Sequence, residues 1–188
     1  VAALARDNIL EILNSNNEER LQTRATGFKN VDREDKININ KSNYSSDNEI
    51  LIFAGKGNNG GDGMVAARYF DMWHYRVNIV LIGKAAELSG ITATNYKLCV
   101  QRGINVLQMD DLTHSQIENY ISNSSLIIDA MLGTGLKGNM REPYAGIIEL
   151  INQARSPVVA VDIPTGIDGN NGSVHGRAVI ADYTATMA

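Results

Sequence analysis

The chain has 188 residues, 44% of them hydrophobic and 20% charged, with a formal net charge of -4. That apolar content suits one globular domain with a sizeable core, and the charge is too low for a chain that stays unfolded. With 17 basic and 21 acidic side chains there is no basic footprint for DNA, and no apolar run reaches the ~20 residues of a membrane helix.

The N-terminus carries Leu4, Ile9, Ile12 and Leu13 at helix-like spacing and lacks an initiator Met. We therefore expect 1–188 to be a single domain cut from a longer protein and shortened at both ends. Residues 14–48 are polar and Asn-rich, and are expected to form an exposed, disordered insertion. Beyond them the pattern becomes regular. Apolar strands are predicted at Glu49–Ala54, Val77–Ile82, Ile104–Gln108, Ser125–Leu132, Pro157–Ile163 and Tyr183–Met187. Helices are predicted between them at Gly63–His74, Ala93–Arg102, Thr113–Ser122 and Tyr144–Ala154. Nearly continuous Val/Ile/Leu strands alternating with helices predict an α/β fold, a Rossmann-like three-layer αβα sandwich around a mostly parallel sheet. Trp73 and Tyr75 are expected to pack on that sheet. Cys99, between Leu98 and Val100, reads as a core thiol with no partner for an internal disulfide. Its usage fits a reducing compartment, with cytoplasm and mitochondrion both open.

In such a sheet the ligand crevice lies beyond the C-terminal ends of the strands. Three of those ends are unusual. The first is the turn Gly55-Lys56-Gly57-Asn58-Asn59-Gly60-Gly61-Asp62-Gly63, whose glycines exceed any evident packing need and suggest a bound anion beside polar side chains. The second is Asp129-Ala130-Met131-Leu132-Gly133-Thr134-Gly135, continuing through Leu136, Lys137 and Gly138. The third is Asp162-Ile163-Pro164-Thr165-Gly166-Ile167-Asp168-Gly169. Asp129 and Asp162 could each be an ordinary turn cap, but both beside the Asn-rich turn point to one polar site. Asp168 to Gly172 reads as a hairpin loop. His175 has no evident partner, and Lys137 reads as solvated unless the ligand carries phosphate.

Two segments match the Gly-x-Gly-x-x-Gly fingerprint, yet the second strand ends Leu81-Ile82-Gly83-Lys84 without the acid that would hold a ribose. A simple nicotinamide-dependent dehydrogenase is thereby disfavoured, and no P-loop motif occurs. His74, His114 and His175 share no zinc-ligand spacing, whereas Asn59, Asp129 and Thr165 could supply oxygens to a hard cation.

Taken in order, Ala54 to Gly63, Asp129 to Gly135 with Arg141-Glu142-Pro143-Tyr144, and Val161 to Asp168 resemble the YjeF N-terminal domain family, which includes the NAD(P)HX epimerases. The resemblance runs from about Glu49 to the end of the chain. It implies interconversion of the R and S epimers of NADHX and NADPHX, the hydrated forms of NADH and NADPH. It also implies a partner NAD(P)HX dehydratase and, commonly, a homodimer. Carried over by motif, Asn58, Asn59, Gly60, Gly61, Asp62, Gly133, Thr134, Gly135, Leu136, Lys137, Gly138, Asn139 and Asp162 would hold the substrate. By the same motifs Asn59, Asp129 and Thr165 would bind a potassium ion, Thr165 keeping the hydroxyl where the family often has Ser. Inverting the hydrated ring carbon needs the hydroxyl to leave and return on the other face, or the ring to open and reclose. Either route needs a positioned proton donor and acceptor, a role expected of Asp162. The competing reading is a non-catalytic scaffold on the same fold that binds protein or RNA. Such a scaffold has no reason to keep the Asn-Asn-Gly-Gly-Asp turn together with Asp129 and Asp162.

Overall fold

The structure is a computed structural model that describes residues 49–135 and 140–186. The N-terminal stretch with helix-like spacing, the polar stretch 14–48, site residues Leu136, Lys137, Gly138 and Asn139, and the last two residues lie outside the described residues.

Six strands form one sheet: β1 (Glu49–Ala54), β2 (Arg76–Leu81), β3 (Asn105–Gln108), β4 (Leu126–Ala130), β5 (Val158–Val161) and β6 (Tyr183–Ala185). Their order is β3-β2-β1-β4-β5-β6, and every pairing is parallel. Four helices connect them: α1 (Asn58–Met72), α2 (Gly90–Gln101), α3 (His114–Asn123) and α4 (Tyr144–Gln153).

Two-residue alternation sorts each strand's side chains between two cores. Ile50, Ile52 and Ala54 of β1 face Met64, Ala67 and Phe70 of α1 and Cys99 of α2. Leu51 and Phe53 face the opposite layer, with Ile117 and Ile121 of α3 and Ile147, Ile148 and Ile151 of α4. A sheet covered on both faces needs apolar residues at nearly every strand position, which is why the strands read as continuous runs. Trp73 and Tyr75 pack on the first core as expected, with their rings edge-on to Phe70.

Most element boundaries lie within three residues of the sequence reading, and one departs further. Helix α1 begins at Asn58, five residues before the predicted Gly63, so the Asn-Asn-Gly-Gly-Asp segment forms its first turn. Helix α2 supports that start: Thr92 donates its hydroxyl to the Gly57 carbonyl at 3.1 Å, and Asn95 donates an amide hydrogen to the Gly61 carbonyl at 3.3 Å. Local propensity disfavours a helix there, and these tertiary contacts override it.

Candidate functional site

The strand order reverses direction between β1 and β4, so the loops that follow them flank the topological switch point where doubly wound sheets bind ligands. The turn after β1 is pressed against β4, with the Gly55 amide donating to the Ala130 carbonyl at 3.0 Å. A Cβ on Gly55 would run into the Met131 carbonyl, and one on Gly60 into the Gly55 carbonyl. A Cβ on Gly63 would come within 2.5 Å of the Ala130 methyl. Packing therefore does require most of these glycines, contrary to the expectation that only a ligand explains them. Gly57 and Gly135 meet nothing within 4 Å and remain open to a bound molecule.

Asp129, at the end of β4, is fully buried. Its carboxylate accepts the Thr165 hydroxyl at 2.7 Å, the Thr165 amide at 2.8 Å and the Met131 amide at 3.2 Å. Burial outweighs these hydrogen bonds and pushes the carboxyl up to about 6. The Thr165 hydroxyl oxygen also accepts the Leu132 amide at 3.0 Å, so one buried side chain joins the loops after β4 and β5.

Asp162, the residue after β5, has a left-handed backbone with φ of 66° and donates its amide to Ala185 of β6 at 2.9 Å. A non-glycine residue in that region is strained, a condition that concentrates at functional sites. A Cβ placed on Gly133 would come within 3.0 Å of Asp162 Oδ2 and 3.5 Å of Asn59 Cβ. Gly133 is thus the point on which the three loops converge. Asn59 is buried, and neither its amide nitrogen nor its oxygen has a hydrogen-bond partner among the described residues. Asp62 lies one helical turn beyond Asn59, and its carboxyl is raised first by partial burial and then by the Asp162 charge. Asn58 is exposed at the start of α1, Gly60 and Gly61 are buried behind it, and Thr134 and Gly135 are exposed at the end of the described loop.

The loop after β5 closes as the expected hairpin, with Asp168 donating its amide to the Ser173 carbonyl and accepting the Gly172 amide, both at 2.8 Å. Gly169 of that hairpin sits against Thr134, and the Met140 amide donates to the His175 carbonyl at 2.9 Å, so the hairpin braces the Gly133 loop. His175 has a neighbour after all: its Nε2 is 3.3 Å from Asp168 Oδ2, though off the line of a hydrogen bond. Six residues of hairpin lie between the two in sequence, so no local pattern announces the pair. Lys56 is a second residue that the sequence reading passed over, lying across the end of β2 with its ammonium 2.6 Å from Glu87.

Among the described residues no three His, Cys, Asp or Glu side chains gather to hold a metal. The oxygens beside Asp129 are instead those of amide, hydroxyl and carboxylate groups. The unpartnered buried amide of Asn59, which approaches the same loop at Gly133, is of a kind that suits a hard cation.

The sheet order and the acidic residues gathered at its switch point define a doubly wound α/β protein with a polar candidate site. The YjeF-related protein N-terminus family model matches residues 31–188, and the chain belongs to that family. It is similar to the NAD(P)H-hydrate epimerase of Limosilactobacillus fermentum, 37% identical over 147 residues that cover 78% of this chain and 67% of that one. It is also 39% identical to the bifunctional NAD(P)H-hydrate repair enzyme Nnr of Thermofilum pendens over 136 residues, 72% of this chain. The chain spans only about a quarter of that relative, the matched region covering 26% of it. In fold it resembles the crystal structure of the yeast protein ynu0, with a TM-score of 0.67 and 22% identity, covering 98% of this chain and 77% of that one.

Proposed function

We infer that this domain is an NAD(P)HX epimerase, an isomerase that interconverts the R and S epimers of hydrated NADH and NADPH. The observation that carries this reading is the convergence of Asn59 and Asp162 on Gly133, beside the buried Asp129–Thr165 pair, in a chain of this family.

The substrate's diphosphate lies against the turn Asn58 to Asp62 and the loop Gly133 to Asn139. The N-terminus of α1 favours negative charge, and Gly57 and Gly135 leave the backbone open to it. The hydrated ring faces Asp162. Its protonated carboxyl donates to the ring hydroxyl as the carbon–oxygen bond breaks, releasing water and leaving a ring iminium, and the resulting carboxylate takes a proton back as water adds to the opposite face. The product has the same composition as the substrate and the opposite configuration. The strained backbone at Asp162 holds the carboxylate toward Gly133 rather than along the strand.

Asn59, Asp129 and Thr165 hold a potassium ion in this reading. When bound, the ion balances the buried Asp129 charge and orders the phosphates, with no Lewis-acid role. The epimerase works alongside an NAD(P)HX dehydratase and forms a homodimer.

Purified S-NADPHX is mixed with the protein in potassium buffer, at a pH where spontaneous exchange is slow, and the R epimer is followed by chromatography. The wild type reaches the equilibrium mixture rapidly, while Asp162→Asn keeps the fold and loses about 10²–10⁴-fold in turnover. Near-wild-type turnover by Asp162→Asn removes the assigned acid/base residue. No acceleration by the wild type leaves the scaffold reading.

A further inference from the structure

We propose that Lys56 and Lys84, at the C-terminal end of β2, form the seat of a ribose 2′-phosphate, so that the site takes NADPHX in preference to NADHX. This rests on the epimerase reading above.

With the hydrated ring at Asp162 beyond β5 and the diphosphate at the start of α1 beyond β1, the adenosine half extends toward β2. In doubly wound sheets the residues at the end of the second strand read the ribose 2′ position, an acid accepting from the hydroxyl and a cation accommodating the phosphate. Here that strand runs through Ile82 into Gly83 and Lys84. Gly83 has φ of 118°, a conformation that favours glycine. A Cβ at Gly83 would lie 2.6 Å from Cδ of Lys56 and 2.9 Å from its Cγ. The aliphatic stem of Lys56 therefore lies flat over the glycine and carries the ammonium from the β1 turn across the end of β2. The ammonium faces Glu87 at 2.6 Å.

An acid does reach this end of the sheet. Glu87 arrives on the short 3-10 turn Ala85–Glu87, 2.6 Å from the Lys56 ammonium, and Lys84 caps that turn, its carbonyl accepting the Glu87 amide at 2.9 Å. Lys56 and Lys84 flank Glu87, whose carboxylate is already engaged by the Lys56 ammonium rather than offered to a ribose hydroxyl. The side chains of Lys56 and Glu87 are each 47% exposed, so a dianionic phosphate can replace the carboxylate without stripping a buried pair.

The test compares kcat/KM for S-NADPHX and S-NADHX in the wild type, Lys56→Met, Lys84→Met and Glu87→Gln. Calorimetric binding of adenosine 2′,5′-bisphosphate and of AMP is measured alongside. The wild type is expected to favour NADPHX by about tenfold or more. Lys56→Met is expected to remove most of that preference and Lys84→Met part of it, with NADHX turnover within about twofold of wild type, and Glu87→Gln to widen it. An unchanged ratio in both lysine variants, or loss of NADHX turnover in Glu87→Gln, overturns the proposal while turnover of either substrate keeps the epimerase reading. If the wild type turns over neither, the epimerase reading falls, and the lysine seat is judged by binding alone. A preference for the bisphosphate over AMP that Lys56→Met abolishes supports the seat, and equal binding of the two removes it.

Discussion

Thr165 engages both oxygens of the Asp129 carboxylate, its amide donating to one at 2.8 Å and its hydroxyl to the other at 2.7 Å, with all three groups buried. The same hydroxyl accepts from Leu132, so removing it strands a backbone amide and leaves that carboxylate oxygen only the longer bond from the Met131 amide at 3.2 Å. Thr165→Val, close to isosteric, is expected to cost about 1–3 kcal/mol of stability, and Thr165→Ser less than about 1 kcal/mol. Urea unfolding measures both. If Thr165→Val unfolds at the same urea concentration as Thr165→Ser, the hydroxyl does not hold these loops.

The glycines of the first turn divide into those the packing needs and those it leaves free. Gly63→Ala pushes a methyl to within 2.5 Å of the Ala130 side chain, where α1 rests on β4, and is expected to cost about 1–3 kcal/mol. Gly57 sits at the N-cap of α1 with open space around it and no capping side chain. Gly57→Ser supplies one and is expected to gain a few tenths of a kcal/mol, or about 0.5. Thermal unfolding of the pair decides the matter, and equal shifts in the same direction contradict the division.

Much of this architecture was legible from the chain itself, because apolar continuity reports burial on both sheet faces. The predicted first strand, Glu49–Ala54, matches the observed one, and the other strands differ only at their ends. The start of α1 was not legible, since two Asn and two Gly argue against a helical turn and only Thr92 and Asn95 of a different helix reverse that. Asp129 and Asp162 stood out as carboxylates ending apolar runs, a pattern with few structural explanations. The partners of Lys56 and His175 lie across a turn and a hairpin, where no short-range period applies. Glycine spacing misled in one respect: close approach of two backbones and close approach of a ligand ask for the same residue.

Cys99 provides a pH test that is independent of the site. It is fully buried, donates to the Met64 carbonyl at 3.3 Å, and burial pushes its thiol up to about 11. The folded pKa lies above that of the unfolded thiol, so the fold favours the protonated form. The resulting stability is complete below about pH 9 and is lost as pH rises toward about 11, a change of about 2–3 kcal/mol. The difference in unfolding free energy between wild type and Cys99→Ala should shrink by that amount over this window, and stay constant below it. An aromatic disulfide reagent should react with native Cys99 no faster than the protein unfolds. Rapid labelling at pH 8 refutes the buried-thiol account.

Asn59 sets function against stability. Its amide is buried without a hydrogen bond to any described residue, a condition that costs about 1–3 kcal/mol in the free protein. A side chain kept at that cost is explained if potassium and the substrate supply the missing partners when they bind. Asn59→Leu keeps the branching of the side chain and removes its polar group, so it is expected to raise the melting temperature of the free protein by a few degrees, roughly 1 kcal/mol. In the wild type, potassium in place of lithium should raise the melting temperature; in Asn59→Leu that rise should vanish together with epimer exchange. Thermal scans in the two salts, run beside the exchange assay, read all three effects. A lower melting temperature for Asn59→Leu in lithium means that the amide is already satisfied in the free protein, and its assignment to the cation then fails.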